Sequence, residues 1–239
     1  MDALLEFASG PLFRLAFAIC LFGVVRLLFL SISDVWFMMR QAGERNIPWG
    51  DLFRSTASWI VPVTTAPRQR PLYSLVSILF HIGLILVPLF YSAHVILWDA
   101  ATGLSWGIWL PQNISHILTL IVIGGGVFLI MARVLNNSQR RLSKAIDYFL
   151  VGLLLVPFIT GIVMTNLVLA SNTHQWMMML HLLSADLILL MIPFTKIAHA
   201  ALFPFGRFVG AAAWKFPQRA GDRVMATLGK DKMSEETPV

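Results

Sequence analysis

The sequence has little charge and almost no cysteine. Only 13% of its 239 residues are charged, whereas 57% are hydrophobic and the mean hydropathy is +0.75. A soluble domain carries roughly a quarter charged residues, so this composition excludes an ordinary soluble globular protein. Cys20 stands alone, which excludes both an internal disulfide and an iron–sulfur site built from four cysteines of this chain. Any electron chemistry therefore requires a cofactor that needs no cysteine, or an exit for the electrons through another subunit.

The sequence contains long apolar runs with few charged residues. A bilayer core requires about 20 consecutive apolar residues for each helix that crosses it, and the sequence contains five such runs. They are Pro11–Leu30, Tyr73–Trp98, Ile114–Val134, Ile146–Leu169 and Trp176–Phe203. None of them alternates apolar with polar residues as a barrel strand does. The sequence predicts an all-α integral membrane bundle of five transmembrane helices in residues 1–205, followed by a basic and partly disordered tail, 206–239.

Lysine and arginine are missing from one side of this predicted bundle. None occurs in residues 1–13, 99–113 or 170–175, whereas the loops at 39–72 and 133–144 and the tail hold fifteen of the 18. Cytoplasmic loops are enriched in these residues, so we expect the N-terminus outside and the C-terminus in the cytoplasm. The first residues include Asp2 and Glu6 and no basic residue, which predicts an anchor that stays rather than a cleaved signal peptide. The same topology, with anionic lipid, explains the pI near 10 without nucleic acid.

Four histidines form a pattern matched to the two leaflets. The second run carries His81 and His94, and the fifth carries His181 and His199. These two spans run antiparallel, so His81 and His199 both fall in the inner half and the other two in the outer half. Ionisable residues at membrane depth are functional hypotheses by default, and neutral imidazole is a common metal ligand. Two cross-helix pairs suit two bis-histidine haems better than zinc, which prefers three or four clustered ligands.

Helical spacing favours a common helix face for His181 and His199 and opposes one for His81 and His94. The 18 residues from His181 to His199 make about five full turns, so both would face one side of a helix, about 27 Å apart. The 13 residues from His81 to His94 leave those side chains about 140° apart on an ideal helix. Pro88 lies between them, and we expect it to distort the second helix.

Two segments around these histidines resemble a known family. Leu79–Gly83 (LFHIG) and Ile192–His199 (IPFTKIAH), with His181 eighteen residues before the last histidine, are similar to the gamma subunit of respiratory nitrate reductase. They are also similar to its relatives, such as the membrane cytochrome of the dissimilatory sulfite reductase-associated complex. The resemblance extends over roughly residues 5–205 and includes the five-span topology.

This resemblance implies a fold, two cofactors and a set of partners. It implies a multi-pass di-haem cytochrome b of the inner (cytoplasmic) membrane, with two haems b held by His81 with His199 and by His94 with His181. A quinol, of menaquinone or ubiquinone, would be oxidised near the outer haem. Electrons would leave through the inner haem to a cytoplasmic iron–sulfur subunit, in a respiratory complex with further membrane subunits.

One departure from the family pattern concerns the second helix. In nitrate reductase gamma subunits the second ligand follows the first by ten residues, and here that position is Tyr91. A phenolate can ligate haem iron, but we favour His94, three residues further on. The departure argues against a true nitrate reductase subunit and favours a sulfur- or hydrogen-linked relative.

Further polar residues in the apolar runs are secondary candidates. Arg26 and Lys196 are candidates for haem propionate contacts, or for snorkelling to the headgroups. We favour the propionate role for Arg26, where Phe22–Arg26 also resembles the family, and snorkelling for Lys196. Candidates for a quinone site on the outer side are His116, Asp186, Tyr91 and His174. Each of these four also suits an ordinary structural or interfacial role.

The sequence therefore predicts an electron-transfer subunit of an oxidoreductase complex. Nothing in the chain can reduce a terminal substrate, so electrons would pass between membrane quinone and a cytoplasmic iron–sulfur partner. One alternative is a hydrogenase-linked cytochrome b. The other is a haem-free membrane anchor or transporter whose histidines are structural.

Overall fold

The structure is a computed structural model that describes residues 1–41, 49, 50, 53, 54, 71–212, 226, 227 and 229. Among these residues, five helices are long and apolar enough to cross a membrane: Asp2–Phe37, Pro71–Phe90, Gln112–Leu135, Ala145–Asn166 and Ser171–Phe194. The prediction of an all-helical chain with five such helices is confirmed, and each predicted run overlaps one of them. The orientation in the membrane stays a prediction.

The N-terminal span is built from two helices in series. Helix α1 (Asp2–Phe7) leads into a π-helical turn, Ala8–Leu12, and then into α2 (Phe13–Gln41). Pro11 lies inside the turn, and proline lacks the N–H that a regular helix uses at that position. The remaining helices are α3 (Pro71–Phe90), α4 (Ser92–Thr102), α5 (Gln112–Leu135), α6 (Asn137–Leu142), α7 (Ala145–Asn166), α8 (Ser171–Met191) and α9 (His199–Ala212).

The described residues form two compact units. The first contains Met1–Leu21 and residues 71–197, and the second contains residues 22–41 and those from Ala198 onward, with the four described residues between 49 and 54. Of the candidate site residues, His199 and Arg26 belong to the second unit. All the others belong to the first. The predicted boundary between 205 and 206 falls inside α9, and most of the tail lies outside the described residues.

The core of the first unit depends on close helix approach. Helix α3 packs against α5, α5 against α7, and α7 against α8. A Cβ on Gly83 would lie 2.6 Å from Val122 Cγ2, and one on Gly126 would lie 2.6 Å from Leu155 Cδ2. Small residues at such contacts let helix backbones approach. Gly83 and Gly126 therefore serve helix packing, whereas Gly124 has nothing within 4 Å of its missing Cβ.

The second predicted span is broken three residues after Pro88. Helix α3 ends at Phe90, Tyr91 is extended with φ −66° and ψ 134°, and α4 begins at Ser92. The expected distortion is thus a complete interruption of the helix. The 140° separation calculated for a continuous helix does not apply to His81 and His94.

The fifth predicted span is also interrupted, in contrast to the continuous helix expected from the sequence. Helix α8 ends at Met191, and two 3-10 turns follow, Ile192–Phe194 and Lys196–Ala198, with Thr195 extended between them. Pro193 lies in the first turn and supplies no N–H to continue an α-helix. The expectation of one continuous helix from His181 to His199 is wrong, so the 27 Å calculated for that helix does not apply.

Candidate functional site

The structure brings two of the predicted ligand histidines together. The imidazole rings of His94 on α4 and His181 on α8 have centroids 5.9 Å apart and planes that differ by 19°. Both side chains are half-buried. The predicted outer pair therefore exists as a geometric pair within the first unit.

The break at Tyr91 determines where the His94 ring lies. Nδ1 of His94 is 3.0 Å from the carbonyl oxygen of Val87, on the last turn of α3. A carbonyl oxygen only accepts hydrogen bonds, so Nδ1 carries the hydrogen in this contact. The bond folds the start of α4 back onto the end of α3 and fixes the direction of the imidazole.

The other carbonyls at the end of α3 also have partners. The last four carbonyls of a helix have no donor within it, and here indole and backbone N–H groups supply donors. Trp98 Nε1 donates to Pro88 O at 3.2 Å, Trp106 Nε1 donates to Leu89 O at 2.9 Å, and Leu110 N donates to Phe90 O at 2.7 Å. Together with His94, these groups stabilise the helix end that the break creates.

His181 is held against α7 by three neighbouring residues. Its Nδ1 lies 2.9 Å from Pro157 O and 3.1 Å from Thr160 Oγ1. The Thr160 hydroxyl donates to the backbone at Val156 O, 2.9 Å away, so its oxygen can accept from the imidazole. Gly161 leaves room for the ring, because a Cβ there would lie 3.3 Å from His181 Cε1.

These contacts assign the same tautomer to both rings. In each, Nδ1 is bonded to a backbone carbonyl, so a neutral ring has its unprotonated nitrogen at Nε2. A metal-ligating histidine almost always donates its other ring N–H to a carbonyl, a carboxylate or water. Nδ1 of His81 is likewise 2.6 Å from the carbonyl of Ser77. Three of the four predicted ligands thus have the hydrogen bond that a metal-ligating histidine would need.

The spacing of the outer pair also fits two ligands on one metal ion. An imidazole nitrogen binds a metal at about 2.0 Å. One metal ion bound by a nitrogen of each ring would be compatible with the 5.9 Å between the ring centroids of His94 and His181. The described residues contain no group of three or more His, Cys, Asp or Glu side chains able to hold a metal. A haem would supply the other ligands of such an ion, and His94 and His181 would be the residues that hold it.

The predicted quinone-site residues are distributed over several environments. Tyr91 lies at the break, with its ring 5.3 Å from that of His94. His174 is exposed on the first turn of α8. His116 on α5 has a buried Nε2, and Asp186 on α8 has a buried Oδ2, neither of which has a hydrogen-bond partner among the described residues.

An ion pair that the sequence did not reveal involves one of the propionate candidates. Lys196 Nζ lies 2.6 Å from Oδ1 of Asp147, whose side chain is 8% exposed. Oδ2 of the same carboxylate accepts the Lys144 N–H at 2.9 Å. Lys196 therefore binds the start of α7, where sequence reasoning assigned it to headgroups or a propionate. In the sequence, only Asp147 could have indicated this contact, because an acid in the first turn of a helix can accept a hydrogen bond from a free backbone N–H.

Comparison with known proteins gives one distant relative. The chain is 28% identical over 205 residues to a protein of Nitratidesulfovibrio vulgaris (strain Hildenborough) whose name is given only as "Protein". The match covers 84% of this chain and 89% of that protein. No family model matches the chain, and no solved structure matches it. The name of this relative assigns no activity.

Proposed function

We propose that this protein is the di-haem b cytochrome subunit of a membrane redox complex. It passes electrons across the bilayer between membrane quinone and an iron–sulfur subunit on the cytoplasmic side. The observation that supports this function most strongly is the paired geometry of His94 and His181, with centroids 5.9 Å apart. The fold supports it at a coarser level, since five helices long enough to span a membrane are required.

The residues around the outer pair fit the needs of a haem. A neutral histidine in hydrocarbon is most stable when its N–H has an acceptor, and the carbonyls of Val87 and Pro157 provide one for each ring. These bonds orient the imidazoles and make Nε2 more basic. Bound haem b supplies the one-electron redox chemistry, while the chain supplies ligation, depth and low dielectric.

The second haem is proposed from the sequence and from its family resemblance. His81 and His199 would be its ligands, and Arg26 would contact a propionate. His81 adds one structural observation, the bond from its Nδ1 to Ser77 O. The iron–sulfur partner is proposed because the chain has a single cysteine and cannot hold a four-cysteine cluster of its own.

The test is the haem content of the purified protein. We expect two haems b per chain in a pyridine haemochrome assay and a b-type reduced-minus-oxidised spectrum. His94→Ala and His181→Ala should each leave one haem, and the two products should have the same spectrum because both residues serve one iron. His174→Ala is the matched control, since this exposed histidine lies on the same helix as His181 and its loss should leave two haems. A haem-free wild-type protein would refute the proposal and favour a membrane anchor or transporter.

A further inference from the structure

The hydroxyl of Thr160 on α7 contacts the ring of His181 with its oxygen atom. The side chain is 3% exposed, and Oγ1 lies 2.9 Å from Val156 O and 3.2 Å from Pro157 O, to which it can donate its hydrogen. A hydroxyl has one hydrogen to donate and two lone pairs that accept. Because the hydrogen is used within α7, the lone pairs remain for the Nδ1–H of His181, 3.1 Å away.

The Nδ1–H of His181 is therefore shared between two acceptors. Pro157 O lies 2.9 Å from Nδ1 and Thr160 Oγ1 lies 3.1 Å from it, which is a three-centre hydrogen bond. In the described part of the chain, Nδ1 of His94 has one acceptor, Val87 O at 3.0 Å. The two histidines of the outer pair thus differ by one hydrogen bond, and Thr160 supplies it.

A second buried threonine shows what is particular to this position. Thr119 on α5 is 7% exposed, and its hydroxyl donates to Ser115 O at 2.8 Å, the bond to the preceding turn that helical threonines commonly form. Among the described residues, Thr160 has a histidine nitrogen within hydrogen-bond distance and Thr119 has none. The contact with His181 is therefore not a general consequence of burying a threonine in a helix.

A hydrogen bond to the far nitrogen of a ligating imidazole alters the nitrogen that binds the metal. An acceptor at Nδ1–H makes Nε2 more basic, and a more basic ligand stabilises the higher oxidation state of iron. The haem core is neutral with iron(II) and carries one positive charge with iron(III), so the N–H is the stronger donor in the oxidised state. Hydrogen bonds that involve an ionised group are roughly twice as strong as those between neutral groups. The Thr160 hydroxyl would therefore stabilise the oxidised state more than the reduced state.

We propose that Thr160 is a positioning residue that lowers the midpoint potential of the outer haem through His181, an inference that rests on the proposed electron-transfer function. Pro157 O is the nearer acceptor and is sufficient to fix the tautomer and the direction of the ring. Thr160 Oγ1 adds the second bond, whose effect reaches the iron only through the imidazole. A lower potential at this haem favours the onward transfer of its electron.

The experiment is a potentiometric titration of the b-type spectrum of the purified protein and of three variants at this position. Thr160→Val and Thr160→Ala both remove the hydroxyl, and alanine also avoids the methyl group that valine would place against the ring. At a fixed potential we expect the ratio of reduced to oxidised outer haem to rise about fivefold in both. This corresponds to a rise of about 40 mV, at 59 mV for a tenfold change in a one-electron couple. Thr160→Ser keeps the hydroxyl and should have the wild-type potential.

The position of the shift and a matched control separate tuning from a structural role. The haem whose potential rises should be the one that His94→Ala removes, and the potential of the other haem should stay at its wild-type value. Thr119→Val removes the same kind of hydroxyl and backbone bond from α5, and it should leave both potentials unchanged. A merely structural role for Thr160 would lower the Tm in Thr160→Val as in Thr119→Val without moving a potential.

The outcomes also separate this inference from the proposed function. Two haems with wild-type potentials in both Thr160→Val and Thr160→Ala would overturn the tuning role and leave the cytochrome proposal standing. Loss of the outer haem in both variants would overturn it as well, because Pro157 O alone would then be insufficient to hold the ring. An equal rise in Thr119→Val would show that the potential responds to any such substitution. A wild-type protein without haem would overturn the cytochrome proposal, and the role of Thr160 with it.

Discussion

Enlarging Gly161 should disturb the outer ligand pair selectively. A Cβ at this position would lie 3.3 Å from His181 Cε1 and 3.6 Å from Nδ1. Gly161→Ala needs a shift of a few tenths of an ångström, because 3.3 Å is tighter than an ordinary contact between these atoms. Gly161→Val adds two more methyl groups beside the ring, and His181 cannot keep both this position and its bond to Pro157 O.

The size of the effect follows from the cost of overpacking. Extra methyl groups in a packed site cost about 1–3 kcal/mol, which corresponds to roughly a 5- to 150-fold change in an equilibrium constant. We therefore expect Gly161→Ala to keep two haems and to change the midpoint potential of one. Gly161→Val should be purified with one haem per chain.

A glycine on the same helix provides the control. Gly152 on α7 has nothing within 4 Å of its missing Cβ, so Gly152→Ala and Gly152→Val should both keep two haems. The assays are pyridine haemochrome stoichiometry and a potentiometric titration of the b-type spectrum. Two haems with unchanged potentials in Gly161→Val would show that His181 does not ligate iron in the orientation seen here.

Three further predictions concern other parts of the first unit. Tyr91→Phe should keep both haems in the haemochrome assay, whereas haem loss there with a harmless His94→Ala would transfer the ligand to the tyrosine. Trp98→Phe removes the N–H that donates to Pro88 O at the end of α3, and the unpaired carbonyl should lower the free energy of unfolding by about 1–3 kcal/mol. Thermal unfolding followed by haem absorbance should therefore give a lower Tm, and an unchanged Tm would contradict this. Asp147→Asn removes the ion pair with Lys196 and should lower the Tm in low salt more than in high salt, with haem content unchanged.

Composition and depth were sufficient to predict the five spans and the proximity of His94 and His181. Each apolar run has the length of a membrane span, so counting residues was enough to locate the helices. The same counting placed His94 and His181 at similar depth on antiparallel helices. The structure brings these rings within 5.9 Å, because depth depends mainly on the number of residues from the membrane surface.

Local hydrogen bonds account for what the sequence did not predict. The interruption after Met191 and the pairing of Lys196 with Asp147 depend on which donors and acceptors meet in three dimensions. Hydropathy treats Ile192–Phe194 as a continuation of the helix, since all three residues are apolar. Only Pro193 indicated a break there, and proline is tolerated in many membrane helices.

The break at Tyr91 means that the angle calculated for a continuous helix does not describe His94. On a continuous helix, His94 would point about 140° away from His81. Tyr91 is extended, so the tenth position after His81 is the point where the helix stops, and α4 begins a new helical phase at the next residue. His94 lies in the first turn of α4, where its Nδ1 reaches back to Val87 O. The position of His94, three residues beyond the one in the resembled pattern, is compatible with a chain that turns at Tyr91.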